Sequence, residues 1–402
     1  MEVCKFYPVA NDRMGAIWTL SSIKNDICVI EFGPAGTTHY AIEGIGSLNG
    51  QEGARIYSTH MDQDDVTFGK YERLEHAIIE LDEHIKPKYI FVMASSISSI
   101  IGADIESICF ELEGQVKAKL VAVTTGGLKD QYQVGVEQML MTLVKEVVKP
   151  GNSNLKKYNI LGMTIDKFNY LSDVEELKRM MAVLFNKEVN TIFTCHTSIE
   201  EIENATEASL NIVVRREGLK AAEYLKNTYG IPYLYPNLYG MKNLVAFVKS
   251  VETIEGYELN QEAYDYETAA LKSHLFSLKR SLFLYKETKK SAIFGDYDTV
   301  HGMRDLMLEL GLEIDRSEIL HKATVEMPIL AGKTELERMN YLKDQPLLLL
   351  LGDGSVSKMD HQAKSYLQIS NPNFDRRMIY PFTPFIGFRG MLYMIEKILN
   401  IE

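Results

Sequence analysis

Three tandem α/β units, each built on a parallel sheet, are what this 402-residue sequence predicts. Three observations lead there. Short apolar runs such as Ile27-Cys28-Val29-Ile30, Tyr89-Ile90-Phe91-Val92-Met93 and Leu120-Val121-Ala122-Val123 are continuous rather than alternating. That pattern marks strands buried on both faces of a sheet. Between the strands lie stretches with helical spacing, as in residues 71–84, where Leu74, Ala77, Ile78 and Leu81 share one face. The strand, polar loop and helix then recur in three successive blocks. Alternation of this kind closes into parallel sheets through helical crossovers. The predicted fold class is therefore α/β, with three Rossmann-like domains and parallel central sheets.

The elements follow in order. The first domain, residues 1–150, holds the three strands above and ends at Lys149-Pro150-Gly151-Asn152-Ser153-Asn154, a turn-forming composition. The second, residues 151–288, opens on the strand Tyr158-Asn159-Ile160-Leu161-Gly162. A helix follows over 174–185, then strands at 191–194 and 210–214, then a helix over 218–228. That helix must stop at Gly230-Ile231-Pro232, where Gly can cap it and Pro cannot continue it. The third, residues 289–402, begins with Ser291-Ala292-Ile293-Phe294-Gly295-Asp296 as strand then loop. Its first helix, 300–310, stops at Gly311. Pro346 and five leucines, 347–351, form a buried strand ending in Gly352-Asp353-Gly354-Ser355, and a last helix runs over 390–400.

Composition narrows the function. The net charge is −12 and charged residues make up 24% of the chain. A nucleic-acid partner is not expected, because phosphate binding needs clustered Lys and Arg. No run approaches the ~20 apolar residues of a membrane span, and Met1-Glu2-Val3-Cys4-Lys5 lacks a leader pattern. The expectation is a cytoplasmic protein without a membrane partner. The four cysteines, Cys4, Cys28, Cys109 and Cys195, are far apart with no C-x-x-C pair. In a reducing compartment they read as free thiols or cluster ligands rather than disulfides.

Two loops stand out. Both follow apolar strands: Glu31-Phe32-Gly33-Pro34-Ala35-Gly36-Thr37-Thr38-His39, and Ala94-Ser95-Ser96-Ile97-Ser98-Ser99-Ile100-Ile101-Gly102-Ala103-Asp104. Gly33, Gly36 and Gly102 permit tight strand-to-helix turns. Neither loop is a G-x-G-x-x-G or a G-x-x-x-x-G-K-[ST] motif, so no nucleotide site is expected in this chain. Ser and Thr just after a strand are ordinary helix N-caps. His39 and His60 are the proton-transfer candidates nearby.

In order and wording these motifs resemble the nitrogenase component 1 family, which includes the dark-operative protochlorophyllide reductase subunits. The resemblance rests on Cys4 through Ala16, Gly33 to Thr37, the acidic stretch ending at Phe68-Gly69, and Ile101-Gly102-Ala103-Asp104. It continues in Asn211 to Pro232 and in Ile386-Gly387-Phe388-Arg389-Gly390. It implies a subunit of a nitrogenase-like reductase complex, with electrons arriving from an ATP-dependent NifH-like reductase. They would pass through an iron–sulfur cluster, of 4Fe–4S type and shared between subunits, to a substrate in an interdomain cleft. Cys4 and Cys28 are the implied metal ligands, and Gly33, Gly36, Thr37, His39, Ser96 and Gly102 the implied cofactor-binding residues. The implied assembly is a homodimer or a heteromer with a paralogous subunit. No catalytic residue is assigned.

Departures from the family pattern keep two further readings open. Thr37 and Ser96 stand where the family usually has cysteine. Val214 stands near the position where nitrogenase anchors its active-site cofactor. A tetrapyrrole or other cofactor reductase needs no such anchor. A cluster-depleted scaffold or regulatory subunit, pairing with a Cys-complete paralogue, needs no cluster of its own.

Overall fold

All strand pairings among the described residues are parallel. The computed structural model describes residues 10–24, 26–48, 54–129, 131–285, 287–374 and 382–401. The first sheet has β1 (Ile27–Phe32), β2 (Arg55–Ser58), β3 (Tyr89–Ala94) and β4 (Lys119–Val123) in the order β2-β1-β3-β4. The second has β5 (Lys157–Met163), β6 (Glu188–Thr194), β7 (Asn211–Val213) and β8 (Tyr233–Leu234) in the order β6-β5-β7-β8. The third has β9 (Lys290–Gly295), β10 (Glu313–Ile319), β11 (Ile329–Ala331), β12 (Pro346–Gly352) and β13 (Gln362–Gln368) in the order β11-β10-β9-β12-β13. The α/β class with parallel sheets is thus as predicted.

Central strands are the continuous apolar runs. β1 and β3 are buried at every position, paired from Ile27 opposite Tyr89 to Phe32 opposite Ala94. β12 buries all five of its leucines. The strands that sequence reading omits are β2, β8, β10, β11 and β13, most of them short or at an edge. β10 alternates as Glu-Ile-Asp-Arg-Ser-Glu-Ile because its polar side chains are clamped: Arg316 and Arg338 both bond the fully buried Glu318. The predicted glycine stops hold. Gly230 (φ +76°) and Gly311 (φ +96°) adopt the left-handed conformation at the ends of helices Leu219–Tyr229 and Tyr297–Leu310.

Two features position the centre of the molecule. Helix Asp12–Ser21 is buried along its whole length and crosses helix Tyr132–Glu146 at unusually close range. A Cβ on Gly15 would lie 1.9 Å from the Tyr132 carbonyl oxygen, and one on Gly135 would lie 1.7 Å from that of Asp12. Only glycine fits at either position. The C-terminal helix Gly387–Leu399 returns to pack on helices Tyr170–Phe185, Met241–Glu252 and Gln261–Leu284. One hydrophobic core consequently runs through all three sheets, with satellites on the outer faces of the first and third. No described helix is long and apolar enough to cross a membrane.

Candidate functional site: a locked loop and an interdomain cavity

The first loop is organised by a buried carboxylate. Glu31, at the end of β1, is 0% exposed. It accepts from Arg13 Nη1 (2.7 Å), Thr37 Oγ1 (2.8 Å) and Thr38 Oγ1 (3.0 Å). Arg13 also donates to the Thr37 carbonyl at 3.3 Å. The Thr37 hydroxyl lies 2.8 Å from the Pro34 carbonyl as well. Gly33 lies so close to Ser95 that an added Cβ would meet it at 2.4 Å. Ser95 caps the helix Ser96–Ile100 by accepting from Ser98 N–H, as its place after β3 suggests. Ser96 abuts Gly127, which in turn abuts Arg13. Gly33, Thr37 and Ser96 are therefore linked through Arg13, Ser95 and Gly127. His39 points outward, 74% exposed and 3.8 Å from Glu43. Gly36 and Gly102 face open space.

The described thiols are elsewhere. Cys28, expected as a metal ligand, packs with Ile30, Phe32 and Ile78 on the outer face of the first sheet. Strand alternation sends it to the side opposite Glu31. Burial pushes its thiol up to about 11, with Arg55 opposing. Burial likewise raises Cys109 to about 12 and Cys195 well above its ordinary value. Cluster ligation uses thiolates. Cys4 lies outside the described residues. Among the described residues, no group of three or more His, Cys, Asp or Glu side chains is placed to hold a metal ion. The hydroxyl of Thr37, which stands where the resemblance places a cysteine, does not fit an iron–sulfur cluster either. It is already committed to the Glu31 carboxylate and the Pro34 carbonyl, and cluster iron is held by thiolates.

The second feature is a cavity of about 150 Å³ where the three sheets meet. It sits beyond the carboxyl ends of β9, β10, β12 and β13, at Gly295, Leu320, Asp353 and Ser370. Ligands in open α/β sheets bind at such carboxyl ends. Helices Asp12–Ser21 and Tyr132–Glu146 close it with Trp18 and Gln133. Four of its lining side chains carry a buried polar atom with no partner among the described residues: Trp18 Nε1, Gln133 Oε1, His321 Nε2 and Asn371 Oδ1. Buried polar atoms are generally bonded; thirteen among the described residues are not, and four of these belong to side chains lining this one cavity. Burial lowers the His321 pKa, with Glu217 and Asp296 opposing. The ring is thus neutral at pH 7, and Nδ1–H facing the Lys322 carbonyl at 3.3 Å leaves Nε2 as an acceptor. The set offers one donor and three acceptors.

A charged network separates this cavity from a second one. Arg215, 2% exposed, bonds Asp166 (2.6 Å), Glu217 (2.8 Å) and Thr164 (3.0 Å). Gly162 makes room for it, since a Cβ there would meet Arg215 Cγ at 2.5 Å. Burial alone would raise Asp296, but Lys167 (3.8 Å away) and Arg215 hold it below its ordinary value. On the far side, at the carboxyl ends of β5, β7 and β8, a cavity of about 260 Å³ is lined by Val214, Tyr235, Asp298 and His301. Asp298 accepts from Tyr235 Oη and from Arg216 N–H. Burial, reinforced by Glu217, raises it to about 6.

Asp173 lines the same cavity, and its carboxylate accepts from Phe385 N–H at 2.8 Å. Burial raises it from 3.8 to about 6, with the Phe385 N–H and Lys167 opposing. Between those two values the folded state holds the extra proton, so stability falls as pH rises through this window. Asp173→Asn keeps the acceptor and removes the charge. It should stabilise the protein above about pH 6 by on the order of 2–3 kcal/mol and have little effect near pH 4. Denaturant midpoints at the two pH values check this.

Sequence reasoning did not pick out Arg13, Gln133, His321 or Asn371. His321 and Asn371 follow β10 and β13, strands not predicted. The pair Arg215-Arg216, directly after a buried apolar strand, was the one legible signal of the network.

Residues 12–401 match the family model for nitrogenase component 1 type oxidoreductases. The chain is 26% identical over 392 residues to the nitrogenase iron-molybdenum cofactor biosynthesis protein NifE of Clostridium pasteurianum, covering 92% of this chain and 82% of that one. It is 25% identical over 303 residues to the nitrogenase molybdenum-iron protein alpha chain of the same organism, covering 72% of this chain but only 55% of the relative. Identity to one of the chains of the light-independent protochlorophyllide reductase of Gloeothece citriformis is 24% over 321 residues, covering 75% of this chain and 62% of that one. The solved structure of nitrogenase Cp1 at pH 6.5 superposes with a TM-score of 0.82 at 16% identity, covering 100% of this chain and 94% of that one. That likeness establishes the fold, and the family match over nearly the whole sequence establishes that this chain belongs to the nitrogenase component 1 type oxidoreductase family.

Proposed function

We propose that this chain is one subunit of a nitrogenase-like reductase complex and that its part is to hold the electron acceptor in the interdomain cavity. A separate ATP-dependent NifH-like reductase supplies the electrons. A paralogous, Cys-complete subunit supplies the cluster thiolates, with Cys4 the one cysteine of this chain left to contribute. The observation that carries this reading is the convergence of Trp18, Gln133, His321 and Asn371, each with an unpartnered buried polar atom, on one cavity. Leaving such atoms unsatisfied costs roughly 1–3 kcal/mol each, a cost that a polar ligand with N–H or O–H groups removes.

Val214, a non-ligating side chain on the neighbouring cavity, favours an acceptor held without a thiolate anchor. In this sense the cofactor reductase reading survives for a small acceptor, since cavities of about 150 and 260 Å³ do not admit a tetrapyrrole macrocycle. The locked first loop favours the cluster-depleted half of the scaffold reading, and the cavity argues against a purely structural role.

The test is anaerobic purification of the complex from its own host, followed by native mass spectrometry. A small-molecule adduct on this chain is expected, and it should be lost in the Gln133→Leu, His321→Leu double variant while circular dichroism stays native. Absence of an adduct, or one indifferent to both substitutions, would sink the assignment.

A further inference from the structure

Helix Gln261–Leu284 is the longest described helix, and it shows two apolar faces. One face, with Leu271, Leu278 and Leu282, is buried against the body of the protein. The opposite face is unpartnered among the described residues. Tyr266, Phe276 and Phe283 are 77%, 73% and 83% exposed on it. With Ala269, Ser273 and Arg280 they form a stripe at alternating spacings of three and four residues. That spacing is the seam of a two-helix coiled coil. An isolated exposed aromatic needs no explanation, but a contiguous apolar stripe marks an interaction surface.

The stripe is complementary to itself when reversed. Its exposed acids, Glu262 and Asp265, lie in the first turns. Its exposed bases are Lys272 at the middle and Lys279 and Arg280 in the second half, and none of the three has an ion-pair partner among the described residues. Running two copies antiparallel about Ser273 places each Arg280 opposite the other copy's Tyr266, one residue from its Asp265. A guanidinium over an aromatic ring and beside a carboxylate is favourable on both counts. The same register sets each Phe276 over the small Ala269 and Ala270 of the other helix, and Ser273 meets its own mate where the backbones must come closest. Six aromatic side chains per pair, at about 150–250 Å² each, bring the contact to roughly the 1,000 Å² that a specific interface needs.

We propose that a second copy of this chain docks on this face, so that two copies pair antiparallel through helix Gln261–Leu284 with Ser273 on the two-fold axis. The contact is independent of the cavity assignment and of the first-sheet loops. Sedimentation velocity on the full chain should show a dimer at micromolar concentration. Arg280→Glu, a change at an exposed position, should weaken it about tenfold, and Asp265→Arg in the same chain should restore it, because each copy then presents the reversed pair. Ser273→Cys should form a disulfide-linked dimer under mild oxidation that the parent chain does not form. A monomeric parent chain would overturn the proposal and leave the face to a different partner. A dimer that persists unchanged in Arg280→Glu, or that Ser273→Cys fails to cross-link, would overturn it equally.

Discussion

Arg215→Leu should destabilise the protein by about 3–5 kcal/mol, the largest single-residue effect expected outside the hydrophobic core. The substitution removes three side-chain heavy atoms, but most of the loss is electrostatic. It strands Asp166 and Glu217, which are 4% and 6% exposed, without their cation. It also removes one of the two charges that hold Asp296 ionised. Denaturant unfolding at neutral pH is the measurement. The loss should shrink toward low pH, where the stranded carboxylates can take up protons. A cost below about 1 kcal/mol would mean that water reaches these carboxylates and that the network is not closed.

Arg13→Leu is expected to cost a similar amount, about 3–5 kcal/mol, because Glu31 is left fully buried with only two threonine hydroxyls. The informative comparison is the double variant Arg13→Leu, Glu31→Leu. Removing both charges should recover most of the loss, since a buried pair replaced by apolar groups is often neutral. The pair would then be seen to fix the loop's shape rather than to supply net stability. If the double variant is as unstable as the single one, the loop depends on the pair's hydrogen bonds to Thr37 and Thr38 instead.

The centre of each sheet could be read from the sequence because continuous apolar runs have few alternatives to a doubly covered strand. β1, β3 and β12 are of this kind, and the glycine stops at Gly230 and Gly311 follow from backbone sterics alone. β10 and β13 were not legible: buried Glu318 of β10 is satisfied in part by Arg338, twenty positions on, and β13 is an edge strand of mostly half-buried and polar residues with no apolar run. Helix Asp12–Ser21 hid for the opposite reason. It is buried all round, Arg13 and Asp12 included, so no polar face marks its period. Helix Gln261–Leu284 has apolar residues on two faces, which cancels the one-sided pattern that identifies a surface helix.

The same physics limited the view of the site. The family resemblance drew attention to Thr37 and Ser96, and the structure gives Thr37 a partner that local spacing does not reveal. Glu31 looked like the first residue of a glycine loop, and its cation lies eighteen positions earlier. Cys28 looked close to that loop in sequence, yet a period of two sends it through the sheet. The cavity residues come from helices Asp12–Ser21 and Tyr132–Glu146, the loop after β5 and the strand ends of the third sheet, so no single segment carries their signature.

The Thr37 and Thr38 hydroxyls are locked to the Glu31 carboxylate and do not ligate iron. Iron and acid-labile sulfide analysis, with an electron paramagnetic resonance spectrum, on the chain purified alone and anaerobically tests it most directly. No stoichiometric cluster is expected on the isolated chain, and a cluster signal only when a Cys-complete partner is present. A full cluster on the isolated chain, retained after Cys4→Ser, would contradict it.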